Sequence, residues 1–223
     1  MGPQSRRRGR GARERILGAA QQLFGEQGIN NTGMDQLCAV AHVSKRTAYQ
    51  HFGSKDELIA EYLRRHDPDT MPEVFERSDL TPRERLLAIF ERPLAFAPDT
   101  THEYVTSDAA GATMTNDCCP FITAAVEIAD PEHPARVLAR AYKKSVAARL
   151  TETAREAGAA DPELLGEQLS LLLDGASART RTLGTESLPT AIGIAATLIE
   201  LAIPDTAPAR PRTGEGHLVS FPS

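Results

Sequence analysis

The sequence is poor in cysteine. It has three in 223 residues, an odd number that excludes a fully paired disulfide framework. Cys118 and Cys119 are neighbours, a poor geometry for a bridge between them. No Cys/His grouping has zinc spacing. Long hydrophobic runs are also missing. The longest apolar-rich stretch, AIGIAATLIELAI (191–203), is too short to span a bilayer and carries Glu200. Arg6, Arg7 and Arg8 could open a secretion signal, but no apolar segment follows them. These absences lead to the expectation of a cytoplasmic protein with no membrane partner. No β-type alternation, internal repeat, phosphate-binding loop or nucleophile–base spacing is visible. No metal, cofactor or catalytic residue is therefore expected.

What is present is a soluble-protein composition, 41% hydrophobic and 25% charged, with an uneven charge distribution. Through residue 66 there are 11 Lys and Arg against 6 Asp and Glu; the remainder holds 14 against 24. A basic end on an acidic protein suggests a local contact with a polyanion and a separate body with another task. The expected division is a disordered basic arm (1–11), a first helical domain (12–54), a connecting helix (55–66), a larger second domain (67–203) and a disordered tail (204–223). Arg6, Arg7, Arg8 and Arg10 could reach a minor groove or merely solubilise the arm.

Helical spacing starts at Ala12 and puts Ile16, Ala20, Leu23 and Phe24 on one face. Gly28 then ends that helix in a left-handed cap. Thr32 can cap a second helix carrying Met34, Leu37, Cys38 and Ala41, a face on which Cys38 reads as core. Ser44 caps a third helix running to about His51, and Ser54 with Glu57 forms a capping box for a fourth running to about His66. The stretch 67–72 reads as a linker. Thr81-Pro82-Arg83-Glu84 starts a helix to about Phe96, and 98–119 stays ambiguous. Further helices are expected at 120–129, 133–157, 162–183 and 187–202, with stops at Gly158 and Gly184. The fold class is all-α.

The stretch VSKRTAYQHFGSKDEL (43–58) is dense in hydrogen-bond donors. Two short helices joined by a tight turn form a helix-turn-helix. The second helix would present Lys45, Arg46, Thr47, Tyr49, Gln50 and His51, leaving Val43, Ala48 and Phe52 for the core. A helix so short and polar needs its neighbours to hold it; Leu23, Phe24, Leu58, Ile59 and Tyr62 are placed to do so. Lys and Arg match guanine O6 and N7, and Gln matches adenine N6 and N7. Thr, Tyr and His suit phosphate oxygens. Lys55 in the first turn of the fourth helix is electrostatically poor for that helix, and a phosphate there would account for it. Taken alone, this face could also be an ordinary solvated one.

Residues 13–63 resemble the DNA-binding domain of tetracycline-repressor (TetR) family regulators. The resemblance rests on four pieces in order, ILGAAQQLFGEQG, NTGMDQL, VSKRTAYQHF and SKDEL. It implies an all-α homodimer whose three N-terminal helices bind a double-stranded DNA operator. A variable C-terminal domain would bind a small effector and dimerise. Carried over by position, Lys45, Arg46 and Gln50 read bases. Thr32, Thr47, Tyr49, His51 and Lys55 contact phosphate, with Ser44 at the head of the same DNA-facing helix. One departure is His42, where the family usually has Gly; His tolerates a left-handed backbone better than most residues.

Beyond residue 63 the resemblance weakens. Phe90, Phe96, Tyr104, Met114, Phe121 and Tyr142 are candidates for an effector pocket, or simply core; His102, Asp174 and Arg181 are candidate polar contacts, or surface ion pairs. Cys118 and Cys119 could sense oxidants, although cysteines more often serve as small core hydrophobes. The helices at 162–183 and 187–202 are apolar on more than one face, with Leu164, Leu165, Leu169, Leu171, Leu172 and Leu173 in the first. That excess suits packing against a second copy across a two-fold axis, which would make the operator roughly palindromic. The expected function is a ligand-responsive regulator, a repressor released by its effector, with the fourth helix as the lever. The alternatives are an architectural nucleic-acid binder and an enzyme housed in the C-terminal helices.

Overall fold

The computed structural model describes residues 3–67, 70–91, 119–183 and 187–204, with residues 3–10 as backbone alone. The described residues contain ten helices and no strand: α1 (Pro3–Gln27), α2 (Met34–Val40), α3 (Lys45–Phe52), α4 (Lys55–Arg65), α5 (Pro72–Phe75), α6 (Pro82–Glu91), α7 (Pro120–Glu127), α8 (Pro134–Glu156), α9 (Pro162–Leu183) and α10 (Leu188–Ala202). Two expected boundaries are corrected. The helix expected from Ala12 starts at Pro3, inside the stretch assigned to a disordered arm. Proline suits a first helical turn, and the arginines that follow are good helix formers. The stretch taken as linker leads straight into a short helix, α5, whose N-cap Met71 is left-handed.

Helices α1 to α3 form a small bundle. Ile16, Ala20 and Phe24 of α1 meet Leu37 of α2, Ala48 and Phe52 of α3, and Leu58 and Tyr62 of α4, all buried. The Phe24 and Tyr62 rings meet edge to face at 5.2 Å. Gly28 has φ +88° and ends α1 as expected. The cap of α2 differs from expectation. It is Gly33, and the Gln36 side chain returns to the Gly33 N–H at 2.8 Å.

In the body, α8 is central and packs on α4, α6, α7 and α9, while α10 packs on α6 and α9. A Cβ on Gly166 would lie 2.8 Å from the Thr151 backbone, so α8 and α9 cross almost backbone to backbone. Among the described residues no helix is long and apolar enough to cross a membrane.

Candidate functional site

The α2–α3 turn is tight because His42 takes φ +50°, a left-handed conformation that His tolerates better than most residues. Ser44 caps α3, its hydroxyl accepting the Thr47 N–H at 3.1 Å and lying 2.9 Å from the Thr47 hydroxyl. Only Ala48 and Phe52 of α3 are buried. The Arg13 guanidinium covers the Phe52 ring at 5.4 Å and also pairs with Glu61 of α4, fastening the helix that sequence alone could not stabilise. Burial pushes the Glu61 carboxyl up, but Arg13 and Arg64 together outweigh it and hold the group below its ordinary range.

With its apolar side so anchored, α3 turns Lys45, Arg46, Tyr49 and Gln50 outward, and leaves Thr47 and His51 half-buried. Tyr49 is 46% exposed. The Lys45 ammonium lies 2.5 Å from Asp35 on α2, a surface pair that gives up little when broken.

Two nominated phosphate contacts are placed differently from expectation. Thr32 is only 1% exposed. Its hydroxyl donates to the Gly28 carbonyl at 2.7 Å and accepts from the Gln27 amide, so it closes the α1–α2 corner and faces inward. Lys55 is half-buried, and its ammonium donates to the Ile29 carbonyl at 2.7 Å. Burial pushes its pKa down, partly offset by Asp56 and Glu127. The awkward charge at the head of α4 is thus explained by the protein's own α1–α2 corner.

A second feature lies where α4, α7 and α8 meet. A cleft of about 300 Å³ is lined by Leu63, Arg64, Asp67, Thr70, Phe121, Leu138, Ala141, Tyr142 and Ser145. That volume is at the small end of the range for small-molecule sites. The Phe121 and Tyr142 rings stack at 3.8 Å, nearly parallel. In the same cleft, the Ser145 hydroxyl donates to Thr70, and Thr70 donates its N–H and hydroxyl to Asp67. Thr70 and Met71 both have positive φ, so the exit from α4 carries local strain beside the cleft.

The structure thus brings Phe121 and Tyr142 together. Phe90 is fully buried in the core and is not among the cleft residues. Phe96, Tyr104, Met114, His102 and Cys118 lie outside the described residues. Asp174 pairs with Lys143, and Arg181 donates to Thr123 at 3.4 Å. Cys119 and Cys38 are both buried, and burial pushes both thiols up, which disfavours the reactive thiolate. Sequence reasoning missed Leu138, Ala141 and Ser145, although their spacing around Tyr142 puts them on one face of α8. Asp67 and Thr70 offered no such periodic signal.

The sequence profile described as bacterial regulatory proteins, tetR family, matches residues 16–62. A solved tetr-transcriptional regulator from Streptomyces avermitilis shares 34% identity over 86% of this chain and 97% of its own, with a TM-score of 0.68. The chain belongs to the TetR family of transcriptional regulators. A TetR-family regulator from Streptomyces coelicolor is 26% identical, covering 87% of this chain and 97% of its own at a TM-score of 0.72. Among curated relatives, the transcriptional activator FasR of Mycolicibacterium smegmatis is 35% identical over 46% of this chain and 45% of its own. The repressor TetR of Mycobacteroides abscessus is 37% identical over 29% and 34%. The chain therefore spans less than half the length of these curated relatives. This TetR-family protein is a DNA-binding transcriptional regulator with an N-terminal helix-turn-helix domain, all-helical among the described residues.

Proposed function

We propose that this TetR-family regulator is a ligand-responsive repressor that binds a roughly palindromic operator as a homodimer. The observation that carries the DNA reading is the outward face of α3, where Lys45, Arg46, Tyr49 and Gln50 stand exposed on a helix that buries Ala48 and Phe52. Arg46, Lys45 and Gln50 are assigned to base edges, and Ser44, Thr47, Tyr49 and His51 to the phosphates flanking them. Thr32 drops out of that set, and Lys55 contributes only its positive field. The cleft walled by Phe121 and Tyr142 is the proposed effector site. It touches Leu63, Arg64 and Asp67 at the end of α4, so an occupant with different affinity for two α4 poses shifts their populations. The homodimer is assigned to α9 and α10, which leave Leu164, Leu171, Leu183, Ile194 and Leu201 exposed.

The test is fluorescence anisotropy on DNA flanking the protein's own gene, against scrambled DNA of equal length at several salt concentrations. The expected result is a preference of about a thousandfold or more for one site. Equal, steeply salt-dependent binding to both would favour the architectural alternative. Activation is the second reading, because one relative bears the name of an activator. A promoter–reporter fusion with and without the gene decides the sign.

A further inference from the structure

We propose that α7 couples the cleft to the helix-turn-helix directly, through Glu127 and Asn30, as a second route beside the α4 lever. The inference rests on the reading of the cleft as the effector site. Helix α7 starts at the cleft, where Phe121 forms part of the wall, and ends two turns later at Glu127. There it grips the α1–α2 corner. The Glu127 carboxylate accepts the Asn30 backbone N–H at 2.8 Å, and the Glu127 carbonyl accepts the Asn30 side-chain amide at 2.6 Å. The corner is shaped for this contact. Gly28 has φ +88°, and a Cβ there would sit 2.6 Å from a Glu127 oxygen. Arg181 of α9 approaches the same carboxylate at 3.9 Å. Glu127 is therefore a positioning residue: it joins the body to the segment from which α2 departs.

The physical consequence is a short, stiff path. An eight-residue helix transmits a displacement at one end to the other with little loss, whereas the exit of α4 passes through the strained Thr70 and Met71. Two hydrogen bonds, one of them charge-assisted, fix the corner's position relative to Phe121. By reciprocity, operator DNA must then be felt in α7 to the extent that α7 is felt at the operator.

Hydrogen exchange of residues 120–127, measured on the full-length protein with and without operator DNA, tests this without an effector. In the unsubstituted protein, operator binding is expected to change α7 exchange by about fivefold or more. In E127A, which leaves only the bond to the backbone carbonyl of residue 127, the protein should still bind operator, and the α7 response should fall. N30A strips only the side-chain bond to the Glu127 carbonyl and serves the same comparison should E127A fold poorly. Unchanged α7 exchange on an operator that binds, or an equal response in the variants, would overturn the proposal alone. Failure to find any specific DNA site would sink the broader reading as well.

Discussion

Arg46 and Thr32 were nominated by the same resemblance, and the structure treats them in opposite ways. Arg46 stands exposed on α3, whereas Thr32 is buried with its hydroxyl bound to the Gly28 carbonyl. The difference was hard to read because Thr32-Gly33 offers two adjacent residues able to start a helix. The Gln36 side chain settles it in favour of Gly33. Substituting each residue separates reading from holding. R46A should weaken operator binding by about 1–3 kcal/mol and relax preference at one base pair, measured by anisotropy on a set of single-base operator variants. T32V leaves the Gly28 carbonyl without its donor and should cost about 1–2 kcal/mol of stability in a denaturant titration. Its ratio of specific to scrambled DNA affinity should stay the same. A shift in that ratio would return Thr32 to the interface.

At the scale of elements, caps and spacing were the legible part. The helix at 162–183 has its expected bounds, and Ser44 and Ser54 cap α3 and α4 as anticipated. What sequence pattern did not disclose was long-range: Glu127 and Asn30 are 97 residues apart, and no local periodicity connects them. The end of α4 hides another such feature. His66 is 7% exposed, its ring tilted against that of Tyr62 with centroids 4.4 Å apart and Nδ1 2.7 Å from the Tyr62 carbonyl. Burial pushes its pKa down from 6.5, the Tyr62 carbonyl offsets part of this, and Arg65 adds to the fall. Because the folded value is the lower one, the unfolded chain takes up the proton first on acidification. His66 contributes nothing to pH dependence above about 6.5 and costs stability as pH drops below it. Thermal melts should therefore decline from about pH 6.5 downward, ahead of the carboxylates near 4. H66F, which keeps an aromatic ring against Tyr62 but cannot titrate, should flatten the curve in that window. An unchanged curve would show that another group dominates the acid limb.

For the whole molecule, the open question is what covers α9 and α10. Leu171 is 72% exposed and Leu201 is 80% exposed, in helices whose other faces already fill the core with Leu165, Leu169, Leu173, Ala195 and Ile199. Leu164 and Leu171 are seven residues apart, as are Ile194 and Leu201, so each helix shows a second apolar stripe besides its core-facing one. Sequence composition showed this excess but not its direction; the backbone shows that it points outward. Introducing a charge there removes the association energy without touching the core. L171E together with L201E should convert the proposed α9–α10 dimer to a monomer in sedimentation or light scattering, while the melting profile keeps a single cooperative transition. The loss should reach the DNA. Two linked recognition helices hold two half-sites with an avidity that one cannot match, and effective concentrations in the millimolar range make the second contact nearly free. The monomer should then bind operator at least a hundredfold more weakly, on the order of that avidity gain. Its salt dependence should fall to about half the slope, because half the phosphates are neutralised in each complex. A monomeric variant that kept both the affinity and the slope would show that each chain reads DNA alone, and the palindromic operator would have to be abandoned with the dimer.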